Sequence, residues 1–261
     1  MLPTLLILSI ISVVTSFLSI HEMRNQCLNK INTNLEMEQE VIALILARGG
    51  SKGIKDKNLS KIGNVSLLAN TLRVIHNCQN CFSEVWVSTD SERIAREAIR
   101  YNASVHFRTE HSARDEATSF ESVLEFLNGH HSIQNVALIQ CTSVFIREQY
   151  LEEAVRAFTN NVDCVFAVQR SWKLRWQQIG NSNRLKAINF NPKQRPRRQG
   201  WNGELIETGM FYFVRRHLIE KHGVLQNERC KFVEIDAKHT LEIDDPFHLE
   251  LANILNRMSN W

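Results

Sequence analysis

The sequence predicts a three-layer α/β protein built on a mostly parallel sheet. Two observations carry this prediction: short apolar runs alternate with helical patterns over residues 41–168, and polar residues recur where those runs end. The carboxyl ends of parallel strands meet along one edge of such a sheet, and ligands bind there. We therefore expect a binding site built from the loops that follow the strands.

The first strand is predicted at Val41–Ala47, an apolar, β-branched run bounded by glycines. The loop that follows is cationic and glycine-rich: it holds Arg48, Gly49, Gly50, Lys52, Gly53, Lys55 and Lys57. Such a loop at a strand end suits an oligophosphate. The spacing G-x-x-x-x-G-K-[ST] is absent, so the loop is not a P-loop. A solvated basic turn is the alternative interpretation.

Helices and strands then alternate as far as residue 168. Leu68, Leu72 and Ile75 recur at helical spacing behind the capping residue Ser66, and the next helix is expected to carry Ile94, Ala98 and Ile99. The further helices of this part begin at Thr118 and Arg147. The strands between the helices are predicted at Val85–Val87, Val105–Phe107, Val136–Ile139 and Cys164–Val168.

The segment 170–203 interrupts this alternation. It contains three tryptophans and a basic cluster from Lys193 to Arg198. We expect an excursion that leaves the sheet, pairs with a partner subunit and returns basic residues to a site, which predicts a homodimer or homotetramer. The sheet then resumes, and the elements expected after the excursion are Phe211–Val214, the helix His217–His222, Phe232–Ile235 and a last helix from Pro246.

The N-terminus has a different character. Leu2–Ile20 contains no charged residue and as a helix would be roughly 28 Å long, close to a bilayer core. We predict a signal-anchor or signal peptide at 1–20, a stem linker at 21–40, and a secretory, Golgi lumen or Golgi membrane location. A buried N-terminal helix is the alternative. The sequons at Asn58, Asn64 and Asn102 suit a luminal glycoprotein, although a glycan on Asn58 would conflict with the site.

Charge and cysteine spacing exclude some functions and leave others open. A net charge of +3 is too small to indicate a nucleic-acid partner. Cys78-x-x-Cys81 lacks the second pair of ligands that a zinc site needs, so incidental thiols are favoured, with a disulfide as the alternative.

Glu242 and Asp244 can face the same way in an extended segment and bind one hard cation. An acidic helix N-terminus is the competing interpretation.

Together these motifs resemble the N-acylneuraminate cytidylyltransferases, the CMP-sialic acid synthetases. The matching runs, in family order, are L-A-R-G-G-S-K-G-I and K-N within 46–58, V-W-V-S-T-D at 85–90, Q-x-T-S at 140–143, R-P-R-R-Q at 195–199 and I-D-D-P at 243–246. The resemblance covers residues 41–258 and is nearest to the animal form without its phosphatase-like C-terminal domain. It implies a nucleotidyltransferase fold and a cytidylyltransferase domain at 41–261, with the excursion 170–203 serving dimerisation and the sugar site.

The implied activity is transfer of CMP from CTP to the anomeric hydroxyl of sialic acid, with release of pyrophosphate, for sialylation. The resemblance implies Mg²⁺, or Mn²⁺ in its place, held by Asp244 and Glu242. The residues expected to act on the phosphates are Arg48, Lys52 and Lys57, with Arg198 as the basic residue of the catalytic loop. The other residues expected to bind substrate are Asn58, Arg108, Ala117, Ser119, Gln140 and Gln199.

Three positions depart from the family pattern. Glu242 replaces the first of two paired aspartates, Thr208 replaces an asparagine, and Val144 replaces a proline. These changes leave open two alternatives: a cytidylyltransferase for another acidic sugar, or a catalytically weak homologue that binds nucleotide.

Overall fold

The computed structural model describes residues 40–51, 53–114 and 116–258. The predicted segments 1–20 and 21–40, apart from Glu40, lie outside the described residues, as do Lys52 and Asp115. The described residues from Val41 onwards form one compact unit.

The described residues form a seven-stranded sheet and two small two-stranded sheets. The strands in chain order are β1 (Ile42–Leu46), β2 (Lys61–Ile62), β3 (Val65–Ser66), β4 (Glu84–Thr89), β5 (Ser104–Phe107), β6 (Asn135–Ile139), β7 (Cys164–Ser171), β8 (Trp176–Gln178), β9 (Leu185–Ala187), β10 (Glu204–Arg215) and β11 (Lys231–Glu234). The large sheet has the order β11-β7-β10-β6-β1-β4-β5. Only β10 runs antiparallel to its neighbours in this sheet, so the predicted, mostly parallel sheet is confirmed.

Seven α-helices connect the strands of the described chain. They are α1 (Leu67–Asn77), α2 (Glu92–Arg100), α3 (Glu110–Ala113), α4 (Ser119–Gly129), α5 (Glu148–Ala157), α6 (Arg216–His222) and α7 (Pro246–Met258). The expected caps are found at two of them: Ser66 Oγ accepts from Ala69 N, and Thr118 forms a capping box with Glu121. Arg147 precedes α5, as expected, but makes no side-chain capping bond.

Strand β1 shows why the sheet needs a helical layer on each face. Successive side chains of a strand point to opposite faces, and Ala43 and Ile45 pack in one apolar cluster while Ile42 and Leu44 pack in another. The first cluster takes side chains from α1, α2 and α5, and the second takes them from α4 and α6. The three predicted layers follow from this alternation.

One residue expected on a buried helix face is exposed. Ile94 and Ala98 of α2 are buried, but 63% of the Ile99 surface is accessible. Residues four apart lie on the same face of a helix, whereas Ile99 is five residues from Ile94 and turns away from the sheet.

The excursion begins after β7 and ends before β10, two long strands that pair with each other. β7 extends to Ser171 and pairs there with Glu204 of β10, and the chain between them carries the separate hairpin of β8 and β9. β10 is irregular between Glu207 and Tyr212, where Gly209 adopts a left-handed φ of 73°. This irregularity brings the backbone of Gly209 towards the Glu242 carboxylate.

Two disulfides are present. Cys78–Cys81 closes the end of α1, in contrast to the incidental thiols favoured from the sequence, and Cys164–Cys230 ties β7 to the segment before β11. Cys141 is the free cysteine of the described residues, and it is buried.

The predicted location requires correction. None of the helices in the described ranges has both the length and the apolar character that a bilayer crossing requires, and α7, their longest, has 13 residues where about 20 are needed. The predicted placement in the secretory pathway, in the Golgi lumen or membrane, is contradicted by this finding and is not retained.

Candidate active site

A polar cavity of about 260 Å³ lies where β1, β5 and β6 end. Eight residues expected from the sequence line it: Arg48, Lys57, Asn58, Arg108, Ala117, Ser119, Gln140 and Glu242. With Arg114, the wall holds four cationic side chains and one carboxylate. A cavity of this composition is suited to a ligand that carries several negative charges.

The loop after β1 is tied to the end of β4. Ala47 N donates to Ser88 O at 2.9 Å, which continues the parallel ladder, and Gly49 N donates to Asp90 Oδ1 at 2.6 Å. A Cβ atom on Gly49 would lie 2.9 Å from Ser91 Cβ, closer than two carbon atoms can approach. The glycine therefore lets the cationic loop pass directly against the neighbouring strand end.

Asn58 is buried at the cavity and both ends of its amide are engaged. Its Nδ2 donates to Arg48 O at 2.9 Å, and its Oδ1 accepts from Cys141 Sγ at 3.0 Å. Burial raises the pKa of the Cys141 thiol to about 12, so the sulfur keeps its proton for this bond. A glycan on Asn58 is incompatible with this buried, doubly bonded amide.

Lys57 joins the loop after β1 to the acidic segment before α7. Its Nζ donates to Ile243 O at 3.0 Å and lies 3.7 Å from Asp244 Oδ1. The Asp244 side chain is more than half exposed, so this ion pair is a weak one. A contact this weak leaves the Lys57 ammonium available to an anionic ligand.

Glu242 reaches the cavity from the same acidic segment. Its Oε1 accepts a hydrogen bond from Thr142 Oγ1 at 3.0 Å, and its backbone forms a bridge with Ser143. Burial, and then the negative charge of Asp244, raise the pKa of the Glu242 carboxyl. A nearby cation would stabilise the ionised form of Glu242.

This donor set fits the predicted Mg²⁺. Mg²⁺ is commonly held by one or two carboxylates together with substrate phosphates rather than by a complete protein cage. Among residues 40–51, 53–114 and 116–258, no group of three or more His, Cys, Asp or Glu side chains is arranged to hold a metal. The pair Glu242 and Asp244 is what a site completed by phosphate oxygens requires.

Arg108 lies in the cavity wall with part of its guanidinium already fixed. Its Nε donates to Ser88 O at 3.2 Å and to Ser88 Oγ at 3.1 Å, whereas its buried Nη2 has no hydrogen-bond partner among the described residues. Burial lowers the pKa of Arg108 to about 10, and the nearby carboxylate of Asp90 opposes that shift. Arg108 therefore keeps its charge at neutral pH and has a donor left for a ligand.

Other expected residues are not brought to this cavity. Arg198 and Gln199 form a short 3-10 turn on the exposed excursion, where the Arg198 guanidinium stacks on Trp172 at 4.3 Å from the ring centre. Asp244 borders the neighbouring surface depression rather than the cavity itself. Lys52 lies outside the described residues.

The cavity also contains polar residues that we did not select from the sequence. They are Ser51, Ser112, Arg114, Ser122, Cys141 and Thr142. Cys141 and Thr142 lie inside the Q-x-T-S run and could have been selected from it. Arg114 and Ser112 come from α3 and the residue after it, a turn too short to show helical periodicity.

A mostly parallel sheet that ends in a cationic cavity beside two carboxylates is the arrangement expected of the nucleotidyltransferase class. The family model described as "Cytidylyltransferase" matches residues 42–258. The chain belongs to this cytidylyltransferase family.

The chain is similar to curated proteins named N-acylneuraminate cytidylyltransferase. The zebrafish (Danio rerio) form A is 37% identical over 219 residues, which are 83% of this chain and 50% of the relative. The Oncorhynchus mykiss protein is 36% identical over 79% of this chain and 48% of its own length. The Escherichia coli protein is 28% identical over 86% of this chain and 54% of its own length. The chain thus spans about half the length of the curated relatives it matches.

Two solved structures share the fold. One is a CMP:2-keto-3-deoxy-manno-octonic acid synthetase complexed with CTP, with a TM-score of 0.63 at 16% identity. The match covers 84% of this chain and 99% of the synthetase chain. The 4-diphosphocytidyl-2C-methyl-D-erythritol synthase from Anaerococcus prevotii has a TM-score of 0.62 at 14% identity, over 84% of this chain and 97% of its own. These likenesses confirm the three-layer nucleotidyltransferase fold.

Proposed function

We propose that the chain transfers CMP from CTP to the anomeric hydroxyl of an N-acylneuraminate, giving CMP-sialic acid and pyrophosphate. One observation carries the proposal: the cavity gathers Arg48, Lys57 and Arg108 beside the Glu242 carboxylate in a chain of the cytidylyltransferase family. The relatives that match most of this chain are named for N-acylneuraminate. That name supports sialic acid as the acceptor.

The reaction needs charge neutralisation more than covalent help from the protein. The sugar hydroxyl oxygen attacks the α-phosphorus of CTP, a new oxygen–phosphorus bond forms, and the bond from the α-phosphorus to the bridging oxygen breaks. Pyrophosphate leaves with the bonding electrons, and the hydroxyl proton passes to solvent. Cations placed around the phosphates stabilise the charge that develops on their oxygens.

The residues of the cavity divide this work by position. Arg48 and Lys57, in and after the loop that follows β1, would bind the triphosphate oxygens. Arg108 enters from the end of β5 and would direct its free Nη2 at a phosphate. Asn58 would hold the nucleotide with the amide that Arg48 and Cys141 orient. Gln140, Ala117 and Ser119 would complete the walls of the nucleotide and sugar pocket.

Asp244 and Glu242 would hold Mg²⁺, or Mn²⁺ in its place. A bound divalent cation would neutralise phosphate charge and help to align the leaving pyrophosphate. The hydrogen bond from Thr142 orients Glu242, and Lys57 lies against the backbone between the two carboxylates.

We also propose that two subunits assemble through the excursion. Its hairpin and the adjoining strand leave apolar side chains exposed: Trp176, Ile179, Leu185, Ile188, Leu205 and Ile206. A second subunit that covers this surface would bring exposed basic residues, Arg198 among them, towards a neighbouring cavity. A homodimer, or a homotetramer built from it, is the assembly proposed.

A substrate panel tests the function. The purified chain is incubated with CTP and Mg²⁺ and with N-acetylneuraminate, N-glycolylneuraminate or a deoxy-octulosonate, and pyrophosphate release is measured. The proposal expects release with a neuraminate. Release with the octulosonate alone would favour the alternative acidic sugar. CTP binding without release for any sugar would favour a weak nucleotide-binding homologue.

A further inference from the structure

We propose that His106 is a positioning residue for nucleotide binding, acting through Ser88 on the guanidinium of Arg108. This inference rests on the proposed function, because it assigns Arg108 to the phosphates of CTP. His106 does not line the cavity; its effect passes along a chain of two hydrogen bonds.

The chain of contacts begins with strand register. Ser88 on β4 and His106 on β5 are direct partners in the parallel pair, and Ser88 Oγ lies 3.1 Å from His106 Nδ1. Arg108, two residues beyond His106, folds back so that its Nε donates to both Ser88 O and Ser88 Oγ. The fully buried Ser88 thus links the imidazole to the guanidinium.

Counting protons gives each bond a direction. Arginine has only donors, so Ser88 Oγ must accept from Arg108 Nε. Among the described residues the Ser88 hydroxyl contacts only Arg108 Nε and His106 Nδ1, so the acceptor for its own proton is His106 Nδ1. This requires a neutral imidazole with its proton on Nε2. Burial lowers the pKa of His106, and the charges of His130 and Arg108 act in the same direction while Glu125 opposes them. The neutral form is therefore the one present at neutral pH.

The imidazole is held in place from its other side. The Phe126 ring contacts it edge to face at 5.4 Å between centres, and the His130 ring lies at 5.6 Å. Phe126 is fully buried and His130 Nδ1 bonds to Phe126 O, so neither neighbour moves freely. The ring of His106 can therefore define where the Ser88 hydroxyl points.

These contacts orient the guanidinium of Arg108. With Nε held at Ser88, the planar guanidinium has a fixed orientation, and its unpartnered Nη2 is left for a ligand in the cavity. A charge that is aimed before the ligand arrives loses less side-chain freedom on binding. Loss of the His106 acceptor should therefore weaken nucleotide binding more than it slows the chemical step.

The test uses variants that separate hydrogen bonding from packing. His106→Phe keeps an aromatic ring but removes the acceptor, His106→Asn places an amide oxygen near the position of Nδ1, and Ser88→Ala breaks the link itself. CTP affinity is measured by calorimetry, and KM and kcat by pyrophosphate release. The exposed His131, whose backbone oxygen accepts a hydrogen bond from Gln134 Nε2, serves as the matched control in His131→Phe.

We expect His106→Phe and Ser88→Ala each to raise the Kd and KM for CTP by about 10-fold while kcat changes little. We expect His106→Asn to stay near wild type and the double variant His106→Phe/Ser88→Ala to lose no more than either single one. Wild-type affinity in both His106→Phe and Ser88→Ala would overturn the inference. If His106→Phe does not fold, Ser88→Ala decides alone. Absence of CTP binding by the wild-type protein would instead refute the proposed function.

Discussion

Gly53 lies directly against the backbone of Asp244: a Cβ atom added to Gly53 would be 2.6 Å from the Asp244 carbonyl oxygen. This approach joins the cationic loop after β1 to the acidic segment before α7. The bond from Lys57 Nζ to Ile243 O reinforces the same junction. The phosphate-binding and metal-binding halves of the proposed site are thereby fixed to each other.

We predict that Gly53→Ala impairs the enzyme by pushing Asp244 out of position. The added carbon cannot fit against a backbone oxygen, so one of the two segments must shift. We expect the Mg²⁺ concentration for half-maximal activity to rise by about 10-fold. Gly50→Ala is the matched control, since nothing lies within 4 Å of its added Cβ. Equal effects of the two substitutions would show that the junction does not matter.

Removal of charge at position 242 should act through the metal. Glu242→Gln keeps the size of the side chain but removes the negative charge. We therefore expect the Mg²⁺ concentration for half-maximal activity to rise by about 10-fold or more. Glu242→Asp, which restores the family residue, should retain metal-dependent activity. Chelation by EDTA should stop turnover, and added Mg²⁺ should restore it. Glu250→Gln, at an exposed position of α7, is the control.

Cys141 should resist alkylation in the folded protein. Because burial raises its pKa to about 12, only about one thiol in 10,000 is ionised near pH 8. In a Cys27→Ser background, we expect iodoacetamide to leave Cys141 unmodified until the chain is unfolded, as read by mass spectrometry. Rapid modification of the native protein would contradict the buried bond to Asn58.

His106 should make folding stability depend on pH. Its pKa is lower in the folded protein than the value of 6.5 expected for an unfolded chain. Between these two pKa values the unfolded state binds more protons, so the free energy of unfolding increases with pH and the full contribution is present above about pH 6.5. We expect wild type to lose more stability than His106→Asn on acidification from neutral pH in urea titrations. Parallel losses in the two proteins would contradict the neutral, half-buried imidazole.

The sequence predicted the sheet well because burial leaves a simple pattern. The core strands β1 and β6 are continuous apolar runs, and the polar groups at their ends mark the edge where the cavity lies. Asn58 and Arg108 could be selected because they follow recognisable runs. Their surroundings could not, because the bonds from Cys141 and Ser88 depend on strand register and on contacts distant in sequence.

Two features could not be predicted from sequence patterns, for physical reasons. Which cysteines form disulfides depends on how close the chain brings them, so the bond between Cys164 and Cys230 has no local signal. The positive charges of the basic cluster at Arg198 indicate part of a functional site. Its place on the exposed excursion, stacked on Trp172, is visible only in three dimensions.

The proposed reaction transfers the cytidylyl group of CTP, with its α-phosphate, to a sialic acid. The most direct measurement uses CTP labelled at either the α- or the γ-phosphate, with N-acetylneuraminate and Mg²⁺, and follows each label by chromatography. We predict that the α-label appears in the CMP-sugar and the γ-label in pyrophosphate, in equal amounts. The γ-label in inorganic phosphate, or the α-label remaining in free nucleotide while CTP is consumed, would contradict the proposed reaction.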